Sequence, residues 1–173
     1  MSDPSSLVEW TEKLPSELKD ARIWRRGRGF EHVNEGESFD HHWGRTFTES
    51  DVVLFSAASL HYNPIYFNSM LAKQAGHERK PVNPFLVFLT TFGLSVEDLS
   101  EIGGYFLGVD DLTYHEAVHV GDTVTAHSTV ISARASTSRP GFGIVTWHTE
   151  GRDEAGRPVV SFRRTNLVRR ENG

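Results

Sequence analysis

The loop residues His61-Tyr62-Asn63-Pro64-Ile65-Tyr66 place an imidazole and a phenol on either side of an Asn-Pro turn. An imidazole can take up or release a proton near neutral pH. A phenol of pKa ~10 donates a proton or a hydrogen bond but is a poor base. Such a pair can move protons to and from a bound small molecule, with His61 as base and Tyr66 as acid or orienter. Both residues also have an ordinary reading, His61 as a polar loop residue and Tyr66 as a ring packed under a helix. Asn63 can orient a carbonyl, although Asn before Pro is common turn chemistry. Downstream, Asn83-Pro84-Phe85 heads an apolar run. Asn83 reads as a helix cap or as a polar group facing a ligand. The Phe85 N–H lies at a helix N-terminus, where developing negative charge is favoured.

The elements that must hold these groups follow from local signals. Glu37–Phe47 reads as a first strand, and Thr48 with Asp51 forms a capping-box start for a helix carrying Val52, Phe55 and Ser59. That helix must stop before Pro64, which disfavours helical geometry at Asn63. A second short helix is expected over Tyr66–Gln74, closed by Ala75-Gly76. Asn83 as N-cap and Pro84 as first helical residue start a third helix, to about residue 96. It is apolar almost all round, so it is expected to be buried on every side, and it is too short to span a bilayer.

The rest is strand-like. Tyr105–Tyr114, Thr123–Ala135, Phe142–Gly151 and Val159–Arg169 are rich in β-branched and aromatic residues, with a hairpin turn at Asp153-Glu154-Ala155-Gly156. One buried helix and a run of antiparallel strands predict an α+β domain, a single sheet curled around the helix. Residues 36–173 form this domain, and residues 1–35 a polar N-terminal strap with a short helix near Leu7–Leu14. A sheet wrapped in this way leaves an edge and a flank open, so pairing with a second copy is expected.

Other polar residues carry weaker signals. His41 and His42 are adjacent in a strand, so they face opposite sides and cannot share a metal. His115 and His119 are four apart but not on a helix. With no cysteine and no His/carboxylate cluster, no metal site is expected. Gly141-Phe142-Gly143 leads into a strand, whereas a dinucleotide loop needs a following helix. Arg45, Arg79, Lys80, Arg163 and Arg164 are candidate phosphate contacts as surface cations, none singled out.

Bulk composition narrows the classes. Lys+Arg 18 against Asp+Glu 23 gives a formal net charge of −5 over 173 residues, so no nucleic-acid binding is expected. Arg25-Arg26-Gly27-Arg28-Gly29 is a local basic exception that reads as a solvated arm. There is neither a signal-peptide pattern nor a membrane-spanning apolar run, so a cytoplasmic location is expected.

Three segments, in order, resemble the MaoC-like family of (R)-specific enoyl-CoA hydratases and mesaconyl- or itaconyl-CoA hydratases. They are Gly44–Asp51, the Asn63-Pro64 turn, and Leu107–Tyr114 followed by Val118-His119-Val120-Gly121-Asp122-Thr123-Val124. The resemblance covers roughly residues 35–170 and implies the hotdog fold. Leu86–Ser100 looks closest to the branch acting on branched C5 dicarboxylic CoA thioesters. In the family the loop reads D-x-N-P-x-H, its Asp and His holding the water. His61 and Tyr66 stand at those two positions here. The family's His-Gly at the helix head is Asn83-Pro84, and proline has no N–H to give. The donor to the thioester oxygen is then the Phe85 N–H, the Asn83 side chain, or nothing.

What this implies is a hydro-lyase, an acyl-CoA hydratase or dehydratase of a short branched thioester, with CoA as part of the substrate and no other cofactor. His61 and Tyr66 are its expected catalytic residues and Asn63, Asn83 and Phe85 its substrate contacts. The partner expected is a second copy, or a second MaoC-like subunit. The substituted positions leave open a second reading, a non-catalytic or partner-dependent subunit that binds acyl thioesters. A thioesterase is a third, with Glu97 and Asp98 as its nearest carboxylates.

Overall fold

The computed structural model describes residues 27–171 except Ile102; the helix expected near Leu7–Leu14, Arg25 and Arg26 lie outside the described residues. Five strands, β1 (Ser38–Thr46), β2 (Gly104–Tyr114), β3 (Thr123–Ala135), β4 (Phe142–Arg152) and β5 (Pro158–Arg169), form one antiparallel sheet in the order β1-β3-β4-β5-β2. Three α-helices lie between β1 and β2: α1 (Glu49–Ser59), α2 (Ser69–Gln74) and α3 (Pro84–Leu99). This is a hotdog, with α3 laid along the concave face of the sheet.

Local chemistry sets the element starts. Thr48 and Asp51 close a reciprocal capping box on α1. Asn83 caps α3, its side chain accepting the Phe85 N–H at 2.9 Å, and Pro84 is the first helical residue. The helix expected from Tyr66 begins later. Pro64–Tyr66 is a 3-10 turn, and Asn68 then caps α2 by accepting the Met70 and Leu71 N–H groups.

α3 differs from expectation in length and burial. It runs 16 residues, to Leu99. Val87, Thr91, Ser95 and Leu99, four apart, are buried against the sheet, whereas Phe85 and Leu89 on the other side are 57% and 50% exposed. One sheet covers one face of a helix, so an apolar run all round does not mean burial all round. The approach is close at Gly151 of β4, where a Cβ would stand 2.5 Å from Thr91 Oγ1.

The core divides between the two ends of α3. Phe47, Val52, Val82, Val87, Val118, Val124, Val159 and Val160 pack about its first turns; Leu99, Val130, Val145, Trp147 and Val168 pack at its end. A 3-10 turn at Phe30–His32 sits on β4 at Gly143, where a Cβ would fall 1.9 Å from Phe30 Cδ2. That close approach accounts for the glycine of the Gly-x-Gly pair. Among the described residues, no helix is long and apolar enough to cross a membrane.

Two strand-based expectations change. β1 puts His41 inside and leaves His42 exposed, yet both reach Asp98, at 2.6 and 3.5 Å. The β1–β3 register slips between Asp40 and Gly44, which breaks strict alternation there. Arg164 is not a surface cation, because its β5 position faces inward and it is fully buried. Arg163, on the opposite side, pairs with Asp111.

Candidate functional site

The site forms where the α1–α2 loop meets the head of α3. α1 ends at Leu60, whose φ of +57° is unusual for a residue with a Cβ. This left-handed step turns the chain, and the His61 N–H then donates to the Ser56 carbonyl at 3.1 Å. The His61 ring meets the Tyr66 ring edge-on, with centroids 5.6 Å apart. Tyr66 is buried, and that burial raises its pKa above the ordinary phenol value. It is therefore a donor at neutral pH.

Asn83 joins this pair. It is fully buried, and its Nδ2 lies 2.6 Å from His61 Nδ1. The same side chain holds the Phe85 N–H with its oxygen. Both candidate donors at the helix head are thus engaged with protein partners. Asn63 is likewise engaged locally, its Oδ1 accepting the Ile65 N–H at 3.3 Å. His61, Tyr66 and Asn83 are brought together; Asn63 serves its own turn.

Beside Tyr66 lies a cavity of about 320 Å³, near the small end for ligand sites. Ile65, Val82, Val87, Val118 and Val159 give it apolar walls, and Tyr66, Tyr114, His77, His115 and Glu116 give it polar ones. Burial raises the Tyr114 pKa, with a smaller contribution from Tyr66. His115 is tied to Ser161, Nε2 to Oγ at 2.8 Å. His77 Nδ1 lies 3.3 Å from His119 Nε2, and His119 Nδ1 lies 3.9 Å from Asp122. Burial lowers the His119 pKa, with Asp122 acting against it.

His77 and Tyr114 were not legible as site residues. His77 reaches His119 because Lys80–Val82 pairs with Val118–Val120: the Val82 N–H donates to the Val118 carbonyl at 2.8 Å, and the Val120 N–H to the Lys80 carbonyl at 3.0 Å. Nothing in the spacing of the two histidines announces that pairing. The surface cations considered for phosphate are each in an ion pair: Arg45 with Asp51, Arg79 with Asp122 and Lys80 with Glu49. Among the described residues, no group of three or more His, Cys, Asp or Glu side chains is placed to hold a metal ion.

Comparison with known proteins gives a consistent picture. The family model described as mesaconyl-CoA hydratase matches residues 9–173. A mesaconyl-CoA hydratase of Haloarcula marismortui is 40% identical over 98% of this chain and 48% of its own length. A beta-methylmalyl-CoA dehydratase of Chloroflexus aurantiacus is 30% identical over 84% of this chain and 41% of its own. Among solved structures, a putative MaoC domain protein dehydratase from Chloroflexus aurantiacus J-10-fl superposes with a TM-score of 0.80 at 28% identity. The match covers 87% of this chain and 43% of that one. The chain therefore spans about half the length of the curated relatives it matches. With nearly all of its residues inside the matched region and its hotdog shared with a MaoC domain, the chain belongs to the mesaconyl-CoA hydratase family, within the MaoC-like group.

Proposed function

We propose that this protein adds water to, or removes it from, the α,β double bond of a short branched acyl-CoA thioester, of the mesaconyl or itaconyl type. The observation that carries this reading is the small apolar cavity with the buried Tyr66 in its wall and His61 edge-on against that ring. A cavity of about 320 Å³ suits a short acyl chain and leaves the nucleotide part of CoA outside. Hydration needs an acceptor for a proton of water, a donor to the thioester oxygen and a proton for Cα. His61 and Tyr66 act on the substrate. Asn83 and Phe85 shape the helix head, and Asn63 shapes the turn. CoA enters as part of the substrate, and the chemistry asks for no other cofactor.

A second reading has an observation of its own. The chain matches about half of its relatives' length, and its edge strand β2 exposes Tyr105, Phe106 and Leu107. On this reading a second hotdog unit, another copy or a separate subunit, covers β2 and the outward face of α3 and completes the site.

Mass spectrometry of the purified protein incubated with crotonyl-, mesaconyl- and itaconyl-CoA separates the two. The hydratase reading expects a gain of one water on a branched dicarboxylic thioester. Tight binding of the thioesters with no gain on any of them supports the partner-dependent reading and removes the first.

A further inference from the structure

His77 lines the pocket and His61 meets the Tyr66 ring of its wall, and the hydrogen bonds of these two histidines constrain which nitrogen carries each proton. We infer that they are held in opposite senses, with His61 presenting an N–H donor and His77 a free lone pair. His77 is then the proton acceptor of the site. This rests on the hydratase reading given above.

For His61 the argument is one of donors and acceptors. The Phe85 N–H can only be received by the oxygen of Asn83, so the group 2.6 Å from His61 Nδ1 is the amide NH2. An NH2 has only protons to give. His61 Nδ1 must therefore be the lone pair, and the ring proton sits on Nε2. Asn83 acts here as a positioning residue.

For His77 the constraint comes from behind. The Asp122 carboxylate is fixed by the His119 N–H at 2.9 Å and by Arg79, and it faces His119 Nδ1 at 3.9 Å. A carboxylate beside a ring nitrogen favours the proton on that nitrogen, which leaves His119 Nε2 as an acceptor. His77 Nδ1, 3.3 Å away, donates to it. The lone pair of His77 is then on Nε2, and the ring lines the same cavity as Tyr66, Tyr114 and Glu116. Burial of His119, which opposes a second proton on that ring, agrees with this order.

The hydration step follows and balances. His77 Nε2 takes a proton from water as the water oxygen bonds to Cβ. The π pair moves onto Cα and the thioester carbonyl, whose oxygen accepts from His61 Nε2–H and from the O–H of Tyr66, the buried phenol in the cavity wall. The proton on His77 then passes to Cα, which restores the ring and leaves one water added.

Nitrogen NMR of the histidine-labelled protein tests the assignment, with His61→Gln and His77→Gln used to identify the two rings. The wild-type protein is expected to show His61 protonated on Nε2 and His77 on Nδ1. Asn83→Asp, which replaces the NH2 with an acceptor, should move the His61 proton to Nδ1 and leave His77 unchanged. A wild-type His61 protonated on Nδ1, or a His77 protonated on Nε2, overturns the proposal. These spectra need no turnover, so they decide the point even if no thioester is hydrated. Where turnover is found, His77→Gln should lower kcat by roughly 10²–10⁴-fold, and His61→Gln, which keeps a donor, by at least tenfold less. The reverse order overturns the assignment of the acceptor.

Discussion

The two ends of α3 are built from similar residue types and do different things. At the C-terminal end, Arg164 lies fully buried, its guanidinium 4.7 Å from the centre of the Phe92 ring and 5.3 Å from that of Trp147. It donates to Ser95 Oγ at 3.0 Å and Ser100 Oγ at 3.2 Å, and burial lowers its pKa to about 10, still charged at neutral pH. A cation there also suits the negative end of the helix dipole. Close by, His41 donates from Nδ1 to Asp98 at 2.6 Å and accepts from Ser128 at 2.9 Å, and Thr149 donates on to Ser128 at 2.8 Å. Among the buried side-chain polar atoms of the described residues, only Arg164 Nε and Asn166 Oδ1 lack a hydrogen-bond partner. At the N-terminal end, by contrast, Tyr66, Tyr114 and His77 face a cavity. Polar residues under a helix make a site only where they meet space a substrate can fill. The comparison also weakens the thioesterase alternative: Asp98 is held by His41, and Glu97 takes the Trp43 indole N–H at 2.8 Å.

If chemistry belongs to the open end, substitutions at the two ends should separate activity from stability. Beside His77→Gln, the largest effects are expected for Tyr66→Phe and His61→Ala. Each should cut turnover by roughly 10²–10⁴-fold, with an unfolding midpoint close to wild type for Tyr66→Phe, as steady-state kinetics and thermal denaturation would show. At the sealed end, Leu99→Ala should cost about 2–5 kcal/mol in urea-melt stability and leave kcat of the folded protein largely intact. A large kcat loss there would blur the distinction between the ends.

Acid should act on the sealed end through His41. Its pKa is lowered from the ordinary 6.5, first by burial, with Asp98 opposing and the Arg164 charge adding to the fall. The unfolded chain therefore binds a proton more readily than the folded one. The stability His41 contributes is full above about pH 6.5 and falls as the pH drops below it toward the lowered folded-state pKa. Urea midpoints from pH 7.5 to 5 should fall more steeply for the wild type than for His41→Gln, and equal slopes would rule out this origin. The smallest effect on stability is expected for Asn83→Ala, which removes the α3 cap and should cost about 1 kcal/mol by thermal or urea denaturation.

Much of the fold could be read from short-range chemistry. The Thr48–Asp51 box, the Asn83-Pro84 helix start and the four later strands lie where local signals put them, to within a residue or two. The outward face of α3 could not be read, because apolar periodicity reports what a helix could bury and not what covers it. Nor could the inward turn of Arg164, since strand alternation says that Arg163 and Arg164 differ but not which of them faces in. Within the candidate site, the His61–Tyr66 contact follows from a loop six residues long and was readable. The His77–His119 contact depends on the pairing of Lys80–Val82 with Val118–Val120, a long-range register that neither segment encodes alone.

The most direct test of chemistry at the open end is single-turnover hydration of mesaconyl-CoA by Tyr66→Phe and Leu99→Ala, each measured below its own unfolding midpoint. The predicted result is a roughly 10²-fold or greater loss of rate in Tyr66→Phe and a near-wild-type rate in Leu99→Ala. A Tyr66→Phe protein that hydrates the thioester at the wild-type rate would contradict the placement of the chemistry at the head of α3.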